Sequence, residues 1–225
     1  KVEYVTIAGR EYYAANGKLS AIAPPLQKAF QVGTLTSVSE YLQKNPDQLQ
    51  VQKLIIHVAS PIEVVVMSPI TADWIDRHQC LRAVSSPKAY PFGKPMDVES
   101  FIVALQTFFV PSDTTAKLQQ LVSSLSDQAS IDYTDDGIGQ EVTAKTGIAR
   151  FGKVEVPNPV RLSPYRTFHE VEQPESAFVF RLQKGTQGPL CVLHEADGGN
   201  WQQEAVGLIR DWLEAETPEG VVILA

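Results

Sequence analysis

The chain has 225 residues, 44% hydrophobic and 20% charged, which describes a globular protein able to bury a core and excludes a disordered one. Its formal net charge of −7 argues against a broad nucleic-acid-binding face, because neutralising phosphate needs clustered Lys and Arg, and leaves room only for a local basic groove; tight nucleic-acid binding is not expected. No apolar run reaches the length of a membrane span and no signal-peptide pattern opens the chain, so no membrane partner is expected.

Residues 1–20 read as a β-hairpin. Val5 and Ile7 alternate, and Asn16-Gly17 is the dipeptide that a two-residue hairpin turn favours. Ser37, with Glu40 three residues on, has capping-box spacing and predicts a short helix that Pro46 terminates. The β-branched runs at 54–59 and 62–67, split by Ser60-Pro61, predict two strands, and 80–85 a third. Asp97 caps a predicted helix carrying Val98, Phe101, Ile102 and Leu105, stopped by Pro111. A second helix from Ser112 keeps Leu118, Leu121, Val122 and Leu125 on one face. Two strands should follow around an Asp136-Gly137 turn. After a strand at 189–196, Asn200 with Gln203 predicts a capped helix whose apolar face holds Trp201, Ala205, Leu208, Ile209 and Trp212; a last buried strand covers 221–224.

The stretch 154–183 is the most specified part of the chain. Val154, Val156, Val160 and Leu162 share a parity, interrupted by Pro157 and Pro159, and Phe178, Phe180 and Leu182 alternate as in a half-buried strand. Two readings stand: an ordinary sheet with its loops, or an arm presenting Arg161, Tyr165, Arg166, Phe168, Phe178 and Arg181 to a partner, a composition favoured in interface cores. The expected fold class is α+β, with mixed, mostly antiparallel sheets, about four helices and an extended β-hairpin arm. A single domain over 1–225 is expected, its weakest point for a boundary between two lobes lying at 93–96. Lys1 in first place leads to the expectation of a segment upstream.

The candidate chemical sites are weak. Cys191 and His194 have Cys-x-x-His spacing without a second pair, and His169-Glu170 and His194-Glu195 do not extend to His-Glu-x-x-His. Gly198-Gly199-Asn200 joins a strand to a helix N-terminus but lacks the Walker Lys and the dinucleotide fingerprint, and Asp197 would repel phosphate. Glu170, Glu172 and Glu175 fit a solvated edge, and Asp132, Asp135 and Asp136 lack the Glu that a calcium loop needs. Cys80 and Cys191 give no disulfide framework and are expected to be free and unmetallated, in a reducing compartment. No catalytic residue, metal or cofactor is expected.

The runs VTAKTGI, VPNPVRLSPYRTFHEVEQPESAFVFRL and HEADGGNW, with DVESFIVALQTFF upstream, resemble the YfdQ-like family of uncharacterised bacteriophage and prophage proteins over about residues 35–225. That resemblance implies a phage or prophage origin and the cytoplasm of a bacterial host; it supplies no catalytic residue, cofactor or substrate. Residues 174–178, PESAF, are also similar to an ending found in tailed-phage major capsid proteins and encapsulins, which implies a capsid-like shell. The chain departs from that pattern in having no single long spine helix and in continuing with a helix and strand. Three functions are therefore in play: a non-catalytic homo-oligomer, an accessory factor in phage DNA recombination or replication, and a small-molecule-binding counter-defence protein.

Overall fold

The computed structural model describes residues 3–7, 10–22, 28–70, 77–126, 130–135, 140–146, 149–155, 158–186 and 188–225. In chain order these form β1 (Glu3–Ile7), β2 (Arg10–Ala15), β3 (Lys18–Ala21), β4 (Phe30–Val32), α1 (Leu35–Lys44), a 3-10 turn (Val51–Lys53), β5 (Ile55–Ser60), β6 (Glu63–Met67) and β7 (Gln79–Val84). Then come β8 (Met96–Asp97), α2 (Val98–Phe108), α3 (Asp113–Ser126), β9 (Ser130–Asp135), β10 (Gln140–Thr146), β11 (Ala149–Glu155), β12 (Val160–Leu162), β13 (Ser176–Lys184), β14 (Pro189–Glu195), α4 (Asn200–Glu216) and β15 (Val222–Leu224). The fold is α+β: four helices among the described residues, and sheets that are mostly antiparallel. No described helix is long and apolar enough to cross a membrane.

Two sheets carry the two cores. The first has the order β15-β5-β6-β7-β4, with β5, β6 and β7 antiparallel and both edges, β15 and β4, parallel to their neighbours. The apolar runs at 54–59 and 62–67 become β5 and β6 because Val58, Val64 and Val66 are buried with Leu81 against α1 and α4. The second sheet, β12-β13-β14-β8, is antiparallel throughout. Its strand β13 buries Ser176, Phe178, Phe180 and Leu182 in strict alternation, and α2 and α3 cover that face with Phe101, Leu105, Leu118 and Val122. The chain passes from the first core to the second between β7 and α2, gives Phe168 and Val171 back to the first, and returns to it for good at α4, so that β15 completes a sheet begun by β4.

Two smaller antiparallel sheets have the orders β1-β2-β3 and β11-β10-β9. The β2-β3 turn is Asn16-Gly17, with φ of 50° and 73°, the left-handed pair that a tight hairpin turn requires. Strands β9 and β10 pair as expected, while the turn residues Asp136 and Gly137 lie outside the described residues.

Several local expectations are corrected. The cap of α1 is Thr34, whose Oγ1 accepts from the Ser37 amide at 3.2 Å, so Ser37 is the third helical residue. The carboxylate that a capping box would take from within the helix comes from Glu170, 134 residues on, which accepts from the Thr36 amide at 3.1 Å. Asp97 caps α2 as expected, accepting from the Ser100 amide at 2.9 Å. Asn200 does not cap α4: Gly199 takes the cap position at φ 83°, and the capping carboxylate is Asp197. The buried line of α4 is Ala205, Ile209 and Leu213, while Leu208 and Trp212 are half-buried.

The largest correction concerns 154–183. Among the described residues of this stretch no projecting hairpin forms, because β12 and β13 pair over only three residues and the loop between them, 163–175, is folded into the body. Thr167 and Phe168 in that loop are 0% and 1% exposed.

Candidate functional site

The loop 163–175 is held by one side chain. Gln173, 7% exposed, accepts from the Arg166 and Thr167 amides at 3.0 and 3.2 Å and donates to the Phe168 and Val171 carbonyls at 2.9 and 3.3 Å. Its amide therefore does for the loop what a strand neighbour does for a ladder, satisfying backbone groups that would otherwise be buried unpaired. The first part of the loop is tied to the body as well: Tyr165 donates its amide to the Phe108 carbonyl at 2.8 Å, and Ser85 Oγ donates to the Thr167 carbonyl at 3.4 Å.

That rigid loop fixes Arg166, whose side chain is only 10% exposed. The guanidinium lies 4.1 Å from the Trp201 ring centroid and 6.0 Å from that of Phe178. Its Nη1 donates to Glu195 Oε1 at 3.3 Å; its Nη2 donates to the Pro174 carbonyl at 3.3 Å and to Ser176 Oγ. The Nε is buried and has no hydrogen-bond partner among the described residues. Burial pulls the Arg166 pKa down to about 10 against the opposing pull of Asp197 and Glu195, still far enough above neutrality that the charge persists.

Asp197 completes the arrangement. Its carboxylate accepts from Ser176 Oγ at 2.6 Å and from the Gly199 and Trp201 amides at 3.1 and 3.3 Å. Burial works to raise this carboxyl, but the three hydrogen bonds and the charge of Arg166 outweigh it and hold its pKa below the ordinary value. The α4 N-terminus, with Gly198 and Gly199 at φ 64° and 83°, is thus already occupied by an anion of the chain's own.

Beside Arg166 opens a cavity of about 500 Å³ between the two cores. Val84, Pro87, Phe92, Pro164, Tyr165 and Trp201 are among the residues that wall it, with Arg166 and Glu195 as its charged groups. Phe92 is held by stacking on Phe178 at 5.1 Å, and the Gly93 amide pins this turn to the Leu193 carbonyl at 2.8 Å. A second cavity, of about 630 Å³, is lined by Tyr41, Asp47, His78 and Cys80 among others. There Tyr41 already donates to Asp47 at 2.8 Å, and burial raises the Cys80 thiol pKa, which works against a nucleophilic thiolate.

No protein-family model, curated protein or solved structure matches this chain.

Of the six residues expected to form an interface, the structure brings together Arg166, Tyr165 and Phe178, around the cavity and its supporting aromatic stack. Phe168 and Phe178 are core residues at 1% and 0% exposure, and that corrects their assignment to an interface: a ring with no accessible surface offers none to a partner. Arg161 lies apart, exposed and paired with Glu175 at 3.4 Å. Arg181 is half-buried on β13, its Nη1 shielded and unbonded among the described residues.

The chemical candidates disperse. Cys191 is buried in the second core and its thiol pKa is pushed up to about 12 by burial, whereas His194 is exposed. Three residues apart on one strand, they face opposite ways. Among the described residues no three His, Cys, Asp or Glu side chains gather as a metal-binding set. Asp132 and Asp135 lie on β9 with undescribed side chains, and Asp136 is outside the described residues. Sequence reasoning missed Gln173 and the roles of Glu195 and Trp201 beside Arg166. The Arg-x-x-x-x-x-x-Gln spacing carries no signal, since a side-chain amide closing a loop has no periodicity.

Proposed function

We propose that the chain is a non-catalytic subunit that assembles with copies of itself, phage- or prophage-encoded and acting in the cytoplasm of a bacterial host. The observation that carries self-assembly is the β1-β2-β3 sheet, both of whose faces carry exposed aromatic or aliphatic side chains. Tyr4 and Tyr13 are cross-strand partners on one face, 77% and 40% exposed; Val5, Ile7 and Leu19 lie on the other at 41%, 47% and 48%. Neither core includes a residue of this sheet. A three-stranded sheet gains its stability by burying at least one face, and a contiguous apolar surface left in water marks a contact site. A second copy supplies the cover. The phage setting follows from the family resemblance, and the capsid likeness favours a closed shell as the form of assembly.

Light scattering on the purified protein tests this. The expected result is a uniform particle many chains in mass for a shell, or a defined small oligomer otherwise. Replacing Tyr4 and Tyr13 together by Ser should reduce that size and leave the far-ultraviolet circular dichroism unchanged. A native protein that stays a single chain at tens of micromolar rules the reading out.

A further inference from the structure

We infer that the cavity beside Arg166 binds a small molecule made of an apolar ring and a cationic amine. The volume of about 500 Å³ falls in the range of ligand sites, its walls are mostly apolar, and it lies between two packed bodies, where such sites concentrate. The polar groups decide the class of ligand. Arg166 is committed: Glu195, Ser176 and the Pro174 carbonyl take its terminal nitrogens, Trp201 takes its face, and its Nε is sealed from solvent. Asp197 is committed too, with three donors already on its carboxylate.

Glu195 is different. Only its Oε1 accepts a hydrogen bond among the described residues, its side chain is 45% exposed, and it lines the cavity. In the β13-β14 register it stands opposite Phe178, and paired residues share a face, so the carboxylate is on the side where Phe92 and Phe178 stack. The lining carries one guanidinium and one carboxylate, Arg166 and Glu195, and Asp197, outside the lining, also faces the guanidinium, so Glu195 is the charge left to a ligand. An anionic ligand would meet Glu195, and both terminal nitrogens of Arg166 already donate to acceptors of the chain. An ammonium group meets the open oxygen of Glu195, and the rings of Tyr165 and Phe92 supply the aromatic surface that favours a cation.

The test is isothermal titration calorimetry on the native protein at neutral pH, whatever its oligomeric state. The probes are 2-phenylethylamine and its anionic isostere 3-phenylpropionate. The amine is expected to bind at least about tenfold more tightly, roughly the ratio that one partly buried charge contact supplies. Glu195→Gln should shrink that ratio to less than about threefold. Ala89→Trp, at an exposed position on the cavity wall, should abolish binding of the amine with the fold intact by circular dichroism. Equal affinity for the two probes, no heat from either at millimolar concentration, or amine binding that survives Ala89→Trp overturns the inference.

Discussion

Replacing Arg166 by Met removes the guanidinium and keeps most of the stem, so it isolates what the charged group contributes between the two cores. Its contact with the Trp201 face at 4.1 Å is worth about 2 kcal/mol when desolvated. The hydrogen bonds to Glu195, Ser176 and the Pro174 carbonyl add to that, and the cost of burying the charge offsets much of the sum. Removing one member of a buried pair typically costs about 3–5 kcal/mol because its partners are left uncompensated. Glu195 is 45% exposed and regains water, which places the expectation at the lower end, about 3 kcal/mol. For a chain of this size that lowers Tm by about 6–12 °C. Urea unfolding followed by circular dichroism measures the loss, with Arg166→Lys as control: a compact ammonium keeps the charge but not the flat stack or the two-pronged donation, and should restore less than half. A Met variant within 1 kcal/mol of the native protein would refute this reasoning, and full rescue by Lys would show that planarity is irrelevant.

Phe168→Ala should cost about 3–5 kcal/mol, as for deletion of a buried aromatic ring, with particle size unaltered; a loss under 1 kcal/mol would return this residue to the surface. The depressed native pKa of Asp197 makes its stabilisation fully present above the unfolded carboxylate value of about 3.9, and lost as pH falls through the lower native value. Asp197→Asn should therefore be less stable than the native protein by a constant amount above pH ~4, and the gap should close below it in acid titrations of urea stability. Both cysteines are buried with raised thiol pKa values, so Ellman's reagent should find no reactive thiol in the native protein and two per chain after denaturation.

What the sequence made legible are the elements whose signals are local. Asn16-Gly17, Asp97 and the alternation of Phe178, Phe180 and Leu182 each act through neighbours a few residues away, and each stands where it was expected. Misplaced features depend on distant partners. Thr34 outcompetes Ser37 as the cap of α1 because Glu170 reaches the same helix end from the far side of the chain. On α4, Leu213 takes the buried position expected for Leu208 because β5 and α1 select which part of the apolar face is covered. The loop 163–175 resembled an arm because its aromatic and proline content is the same whether it projects or folds inward; only the reach of Gln173 to four backbone groups decides. The candidate site was half legible for the same reason: Tyr165 and Arg166 were conspicuous, and Glu195 and Trp201 join them only through tertiary structure.

The return of the chain to its first sheet has a consequence for synthesis on the ribosome. Residues 30–84 emerge early, yet β5 is an unpaired edge until β15 arrives more than 160 residues later, and the α4 residues Ile209 and Leu213 are missing from the first core until then. The second core, contained within residues 90–193, emerges complete before the first can close. Vectorial folding therefore runs from the middle of the chain outward, and an interrupted product lacking α4 presents an open sheet edge and a bare apolar face to every other nascent copy.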